Sequence, residues 1–125
     1  MPSYSSYNFS SEFHRAKDVG VMVLKGELEN SQQNALNGIL VKAVEKEKCQ
    51  ALIIDITHIT YMASFAVAAI GFYFKELNEA EGFLCIVCEN EQSLKPFKLA
   101  GLAEMIPIFS SIKEALEAIK AQGFC

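Results

Sequence analysis

Apolar and polar residues alternate near the start of the chain. Over residues 7–14 the apolar positions share one parity, which predicts an edge strand. A polar turn at 16–18 separates this segment from residues 19–25 (VGVMVLK), whose apolar, β-branched composition predicts a more buried strand. Because the connection is short, an antiparallel hairpin is expected, preceded by a loose end at residues 1–6. The apolar residues on the first strand's parity are Tyr7, Phe9 and Phe13.

Three later apolar runs also predict strands. Residues 51–56 (ALIIDI) are almost continuously apolar, as in a parallel strand that is buried on both faces. Residues 83–88 (FLCIVC) predict a second strand of this kind. Residues 105–109 predict a short strand, in which Pro107 suits an edge position because it has no N–H to donate to a neighbour.

Four helical patterns occupy the segments between and after these strands. Three of them have apolar residues spaced three and four apart, and the short third one is indicated by Pro96 in its first turn. Each lies behind a residue whose side chain can accept from the first-turn N–H groups. The patterns cover about 31–48, 64–80 and 93–100, and a last segment from 111 onward. The expected caps and stops are Asn30 or Ser31 with Gln33, Ser64 with Gly82, Ser93 with Gly101, and Ser111 with Glu114.

This order of elements predicts a single α/β domain over residues 7–121. The sheet should be mixed, with an antiparallel hairpin at its N-terminal end and parallel strands afterwards, and four helices should accompany it. Functional sites in such sheets lie beyond the carboxyl ends of the strands. The predicted loops at 26–30, 57–64 and 89–92 are therefore the places to look for a site.

Charge and hydropathy exclude several classes of function. Acidic residues outnumber basic ones by 15 to 11, the net charge is −4, and Arg15 is the only arginine. Nucleic-acid binding needs clustered cations and favours arginine for base recognition, so it is not expected. No apolar run reaches 18 residues and no signal peptide opens the chain. We therefore expect no membrane span and a cytoplasmic location.

The residue types that carry catalysis or bind metals do not form a recognisable constellation. Cys85 and Cys88 lie within one predicted strand, where residues three apart point to opposite faces, so they are expected to be core thiols like Cys49. Asp55 has no partner for acid–base chemistry and is expected to fix the loop that follows it. His58 is expected to be an exposed or hydrogen-bonded loop residue. We predict no enzyme activity, no metal and no cofactor.

The second predicted helix carries two apolar stripes where one would suffice to cover a sheet. Its core stripe is expected to comprise Val67, Ile70, Phe74 and Leu77, and its second stripe comprises Phe65, Ala69, Phe72 and Tyr73. The second stripe could be covered by neighbouring helices, or it could be exposed for a partner protein.

Residues 55–70 (DITHITYMASFAVAAI) resemble the central motif of STAS domains, the anti-sigma-factor antagonist family. That motif is a strand ending in Asp-Leu-Ser, a hydrophobic loop, and Asp-Ser-Ser-Gly at a helix start. Residues 24–30 (LKGELEN) are similar to the family's loop before its first helix, and residues 97–116 to its closing helices and strand. The resemblance covers about residues 19–119. The matched positions are Asp55, Ile56 and Thr57, then Ile59, Tyr61 and Met62, and finally Ser64 on the family's phosphorylatable serine.

The chain departs from this motif at four positions. Ala63 replaces the family's Asp, Phe65 and Ala66 replace Ser and Gly, and Glu29 replaces the Asp of the first loop. The Ser-Phe pair is similar to the stressosome branch of the family.

The resemblance implies a regulatory protein that binds an anti-sigma factor, a serine kinase or a related signalling protein, and that could form a homodimer. Ser64 is the candidate phosphoacceptor, because a helix start tolerates an anion and a phosphoserine adds about −1.5 to −2 charges. The alternative is that Ser64 only caps the helix. The residues expected to bind the partner are Glu29, Asn30, Thr57, His58, Phe65, Ala69 and Phe72.

A second hypothesis remains open. The chain could be a ligand-carrying or transport-accessory STAS domain, in which the apolar helix covers a lipid or docks on a transporter and Ser64 is not phosphorylated.

Overall fold

Six strands and four α-helices make up the fold. The computed structural model describes residues 3–5 and 8–124. The strands are β1 (Ser3–Ser5), β2 (Phe9–Ala16), β3 (Val19–Leu28), β4 (Ala51–Met62), β5 (Phe83–Val87) and β6 (Ile108–Phe109). The α-helices are α1 (Gln33–Val41), α2 (Ser64–Glu79), α3 (Glu91–Leu99) and α4 (Ile112–Ala121). Short 3-10 turns at Asn30–Gln32 and Leu102–Glu104 and a π-helical segment at Lys42–Lys46 accompany them.

All six strands lie in one sheet, and their spatial order follows the chain. β1, β2 and β3 are antiparallel neighbours, whereas β3 to β6 run parallel, which confirms the predicted mixed sheet. The N-terminal segment was expected to be loose, but Ser3–Ser5 pairs with the edge of β2. Tyr7, which was expected to begin the first strand, lies outside the described residues, and β2 begins at Phe9.

Helices cover the sheet on both faces. α1, α2 and α3 pack on one face, where the larger core cluster includes Leu36, Ile54 and Ile70. α4 packs on the other face, where Ile53 and Ile119 belong to a second cluster. Successive residues of a strand point to opposite faces, so a strand covered on both faces must be apolar throughout. This explains the continuous apolar run at the start of β4.

The cysteines are core thiols, as predicted. Cys85 belongs to the cluster under α4 and Cys88 to the cluster under α1–α3, so the two side chains lie on opposite faces of the sheet. Burial raises the pKa of the Cys85 thiol to about 12. Burial also raises the pKa of Cys49 and of Cys88. Cys125 lies outside the described residues.

The third and fourth strands are longer than predicted. β3 continues to Leu28 and β4 to Met62, so the loops predicted at 26–30 and 57–64 are wrong over most of their length. Ile59 and Met62 are buried, whereas His58, Thr60 and Tyr61 are exposed. This end of β4 is an amphipathic strand, and its polar residues gave it the composition of a loop.

Two bulges keep β3 and β4 paired along this extension. One of them lies between Gly26 and Glu27. Gly26 has a φ of +100°, and a Cβ atom there would lie 2.0 Å from the Asn8 carbonyl oxygen. The Glu27 N–H donates a hydrogen bond of 2.7 Å to that same oxygen. Only glycine meets both the backbone angle and the close approach.

Several helix boundaries also differ from the predicted caps. Asn90, rather than Ser93, caps α3, and its Oδ1 accepts from the Ser93 N–H at 2.9 Å. Neither Asn30 nor Ser31 caps α1, because the chain enters it through a 3-10 turn that begins after Glu29. Ser111 caps α4 as predicted, by accepting from the Glu114 N–H at 3.1 Å.

Two glycines were expected to follow helices. Gly101 follows α3 with a φ of +78°. After α2 it is Glu81 that adopts a positive φ, 63°, and Gly82 has a different role. A Cβ atom on Gly82 would lie 2.5 Å from the Gln50 carbonyl oxygen, so glycine is needed there for close packing. The last strand is limited to Ile108–Phe109, shorter than the predicted 105–109.

Candidate functional site

The carboxyl ends of β3 and β4 bring two predicted site segments together. Leu28 and Met62 are partners in the parallel register, and the Ala63 N–H donates to the Leu28 carbonyl at 2.9 Å. Glu29 directly follows the end of β3, Ser64 follows the end of β4 after Ala63, and both side chains are exposed. Asn30 is also exposed at the start of the following turn. The structure thus places Glu29 and Asn30 next to the beginning of α2.

Ser64 is the first residue of α2, and it does not cap that helix. The N-cap position belongs to Ala63, which has no side-chain acceptor to offer. The expectation of Ser64 as a cap is therefore wrong, because α2 begins at Ser64, one residue earlier than a cap at Ser64 requires. The Ser64 hydroxyl is exposed and has no hydrogen bond to any other described residue.

The second apolar stripe of α2 is partly exposed. We use the name α2 stripe for Phe65, Ala69 and Phe72: the first two are half-buried, and Phe72 is 56% exposed. Tyr73, which was assigned to the same stripe, is buried in the core. The Phe72 ring meets the Tyr73 ring edge to face at 5.1 Å between centroids. The Phe72 ring therefore packs against Tyr73 on one side and is exposed to solvent on the other.

The core stripe of α2 is largely as predicted. Val67, Ile70 and Leu77 are buried, and Phe74 is half-buried.

Thr57 and His58 lie away from Ser64. At about 3.3 Å per residue, Thr57 is roughly 16 Å along β4 from Met62. Thr57 is held through its backbone: its N–H donates to Asp55 Oδ1 at 2.9 Å and its carbonyl accepts from Asn90 Nδ2 at 3.3 Å. His58 is exposed and lies opposite Lys25 in the register. The contact between Asp55 and Thr57 gives Asp55 the structural role that was predicted, within a strand instead of a loop.

A cleft of about 940 Å³ between the end of β4, the start of α2 and helix α3 was not anticipated from the sequence. Buried Ile59, Met62 and Val67 line it, as do Tyr61 and Leu99, which are 54% and 78% exposed. Ser64 lines the same cleft. The feature of the sequence that could have indicated the cleft is Leu99, an apolar residue on the side of α3 that faces away from the core.

Polar contacts at the beginning of α3 join this helix to β4. The Ser93 hydroxyl donates to the Ile59 carbonyl at 2.9 Å, and Asn90 joins α3 to Thr57. Ser93 and Asn90 thus anchor the beginning of α3 to β4, along one side of the cleft. Ser64 therefore lies between two surfaces, the cleft on one side and the α2 stripe on the other.

The described part of the chain offers no evident metal site, activated thiol or membrane-spanning helix. No three His, Cys, Asp or Glu residues there come close enough to hold a metal ion. The raised pKa of the buried Cys85 and Cys88 thiols leaves both protonated at neutral pH, so neither is an activated nucleophile. Among the described residues, no helix is both long and apolar enough to cross a membrane.

Comparison with known proteins agrees with this architecture. The family model of the STAS domain matches residues 10–115. An anti-sigma F factor antagonist from Paenibacillus polymyxa is 20% identical over 113 residues, covering 90% of this chain and 97% of the relative. The crystal structure of an anti-sigma factor antagonist from Mycobacterium paratuberculosis superposes with a TM-score of 0.80 at 21% identity, covering 94% and 99% of the two chains.

A third similar structure is the phosphorylated form of the Bacillus cell fate determinant SpoIIAA. Its TM-score is 0.69 at 17% identity, covering 87% of this chain and 98% of that one. At these identities the solved structures establish the fold alone, whereas the family model spans most of the sequence. The chain belongs to the STAS domain family.

Proposed function

We propose that this chain is a regulatory module that binds a partner protein and that a phosphate on Ser64 releases it. The proposed partner is an anti-sigma factor of the serine-kinase type or a related signalling protein, acting in the cytoplasm, where ATP is available. The contact surface would comprise Glu29, Asn30, Ser64 and the α2 stripe. A partner that extended along β4 would also reach Thr57 and His58. The chain contributes a surface and catalyses nothing itself.

The position of Ser64 carries this proposal. Its hydroxyl is exposed and makes no hydrogen bond to another described residue, so a kinase can reach it without unfolding the domain. It lies in the first turn of a 16-residue helix, where unpaired N–H groups and the helix dipole favour a negative charge. No acidic residue occupies that first turn, so a phosphate there meets no like charge within the helix.

The effect on a partner follows from what surrounds Ser64. Half-buried Phe65 is the next residue, and exposed Glu29 follows the neighbouring strand end. An added charge of about −1.5 to −2 beside an apolar side chain would oppose desolvation of that surface, and beside Glu29 it would repel an acidic partner surface. The relatives support the same class of function, since two of them are anti-sigma factor antagonists and the third is the phosphorylated form of a cell fate determinant.

The test is phosphate incorporation with ATP and an anti-sigma serine kinase from the same organism, mapped by mass spectrometry. We expect one phosphate, on Ser64, and none in Ser64→Ala. Ser31→Ala is the matched control, because Ser31 is also exposed and lies in the turn after Glu29. Phosphate on a different residue, or none, together with unchanged partner binding by Ser64→Asp, would refute the switch.

The cleft favours a second candidate, a STAS domain that carries a small ligand. In that case Ser64 would line a binding site and would not be modified. Native mass spectrometry of the purified chain, searching for a co-purified ligand, separates this candidate from the first. The transport-accessory version of the hypothesis stays a prediction.

A further inference from the structure

We propose that the cleft between α2 and α3 binds a single-chain amphiphile with a carboxylate head group, such as a fatty acid. This inference gives the ligand-carrying candidate a site and a ligand class, and it requires neither a partner nor phosphorylation of Ser64. It depends on the volume of the cleft, on the separation of its polar and apolar parts, and on its charge.

The volume suits a small ligand. At about 940 Å³ the cleft lies at the upper end of the range of roughly 300–1,000 Å³ that is typical of small-molecule sites. Its lining includes buried Ile59, Met62 and Val67, which offer an apolar floor. Tyr61 and Leu99 are exposed beside it, and exposed apolar side chains on both sides of a cleft mark a surface that a ligand would cover.

Polar and apolar lining residues lie at different ends of α3. The beginning of the helix contributes Asn90, Gln92 and Ser93, whereas its end and the following turn contribute Leu99 and Leu102. A ligand lying along α3 would therefore need a polar head and an apolar tail. This separation argues against a uniformly polar ligand such as a sugar.

The charge of the cleft selects an anionic head group. Among the residues that line it, Lys95 is the only one with a charge, although the protein as a whole carries −4. The Lys95 ammonium has no ion-pair partner among the described residues, and the Gln92 side chain has no hydrogen bond there either. Asn90 and Ser93, by contrast, already use their polar atoms to hold α3 to β4. The donors left without a described partner are therefore the Lys95 ammonium, the Gln92 amide and the hydroxyls of Tyr61 and Ser64. Only the ammonium is charged, which fits a single carboxylate.

The test is fluorescence titration of the full chain with dansyl-undecanoate, followed by displacement with laurate or with its neutral methyl ester. We expect saturable one-to-one binding below the micelle concentration. Lys95→Gln should weaken laurate about threefold to fivefold, the upper part of the range for an exposed ion pair, and leave the methyl ester unchanged. Lys98→Gln is the matched control: it removes the same charge from the same helix, and Lys98 pairs with Glu91 and does not line the cleft.

A second variant tests the apolar part of the site. Ala68 is exposed on α2 and lines the cleft, so Ala68→Trp should fill it and weaken both laurate and methyl laurate at least tenfold. Ala80→Trp, at the far end of α2, should bind like the wild type. Absence of saturable probe binding, or equal binding by Ala68→Trp, would overturn the proposal. So would binding to phosphatidylglycerol vesicles without binding of monomeric laurate, because the surface would then recognise a membrane.

Discussion

The backbone N–H of Ala63 donates a hydrogen bond of 2.9 Å to the carbonyl oxygen of Leu28. This bond joins the last residue of β3 to the residue between β4 and α2. It brings the turn that begins at Glu29 next to the first turn of α2. Neither segment alone forms the proposed partner surface, and the pairing of the two strand ends creates it.

The first prediction concerns the switch. Ser64→Asp should bind the partner at least tenfold more weakly than the wild type, a loss of about 1.4 kcal/mol or more, because it places a negative charge beside Phe65 and near Glu29. Its melting temperature should not change, since Ser64 is exposed and has no hydrogen bond to lose within the part of the chain that the structure describes. Calorimetric titration with the partner measures the loss. Ser64→Ala should bind like the wild type, and weak binding by both variants would assign the effect to packing and not to charge.

The second prediction concerns the α2 stripe. Phe72 is 56% exposed, so Phe72→Asp should abolish partner binding while lowering the melting temperature only slightly. Leu116→Asp is the matched control, because Leu116 is an exposed apolar residue on α4, on the opposite face of the sheet. If Phe72→Asp unfolds the domain, the edge-to-face contact with Tyr73 is part of the core and the stripe is not an interface.

The third prediction compares two glycines. Gly26→Ala should destabilise the fold by about 2 kcal/mol or more, because its φ is positive and its Cβ would collide with the Asn8 carbonyl. Gly38→Ala should instead stabilise the fold by roughly 0.5–1 kcal/mol, since Gly38 lies within α1 and nothing is within 4 Å of its added Cβ. Urea unfolding of both variants measures the difference. Equal effects at the two positions would contradict the bulge described at Gly26.

The fourth prediction concerns Asn90, which has two roles. Its Oδ1 caps α3 and its Nδ2 donates to the Thr57 carbonyl. Asn90→Ala loses both contacts and should cost about 1–2 kcal/mol of stability. Asn90→Asp keeps the acceptor for the Ser93 N–H, so it should cost less. Chemical unfolding of the two variants checks this order, and the reverse order would mean that the cap contributes little.

The fifth prediction concerns pH. The pKa of Cys85 is about 12 in the folded domain and has an ordinary value of 9.0. Above pH 9 the unfolded chain therefore loses this proton while the folded chain keeps it, so the wild type loses stability as pH rises from 9 toward 12. Cys85→Ala has no thiol to titrate and therefore lacks this loss of stability, although the cavity that it leaves destabilises the fold. The stability difference between wild type and variant should narrow over that pH window, as measured by urea unfolding at each pH, and a constant difference would contradict the raised pKa.

The amino-acid sequence alone determined the architecture of this domain. The alternation of strand and helix patterns and the continuous apolar run at 51–56 were enough to predict a mixed sheet covered on both faces. The opposite orientation of Cys85 and Cys88 also followed from the sequence, because strand periodicity is a local property of the backbone. The family resemblance rested on short motifs in the right order.

Tertiary structure decided how the site is assembled. The end of β4 has the composition of a loop, and only its pairing with β3 across two bulges makes it a strand, which moves Thr57 away from Ser64. The start of α2 at Ser64 gives the N-cap position to Ala63, and the Ser64 hydroxyl makes no hydrogen bond to another described residue. The cleft also depends on contacts between residues that are distant in the sequence. Ser93 and Asn90 join α3 to β4 residues more than thirty positions earlier, and no local sequence pattern predicts such contacts.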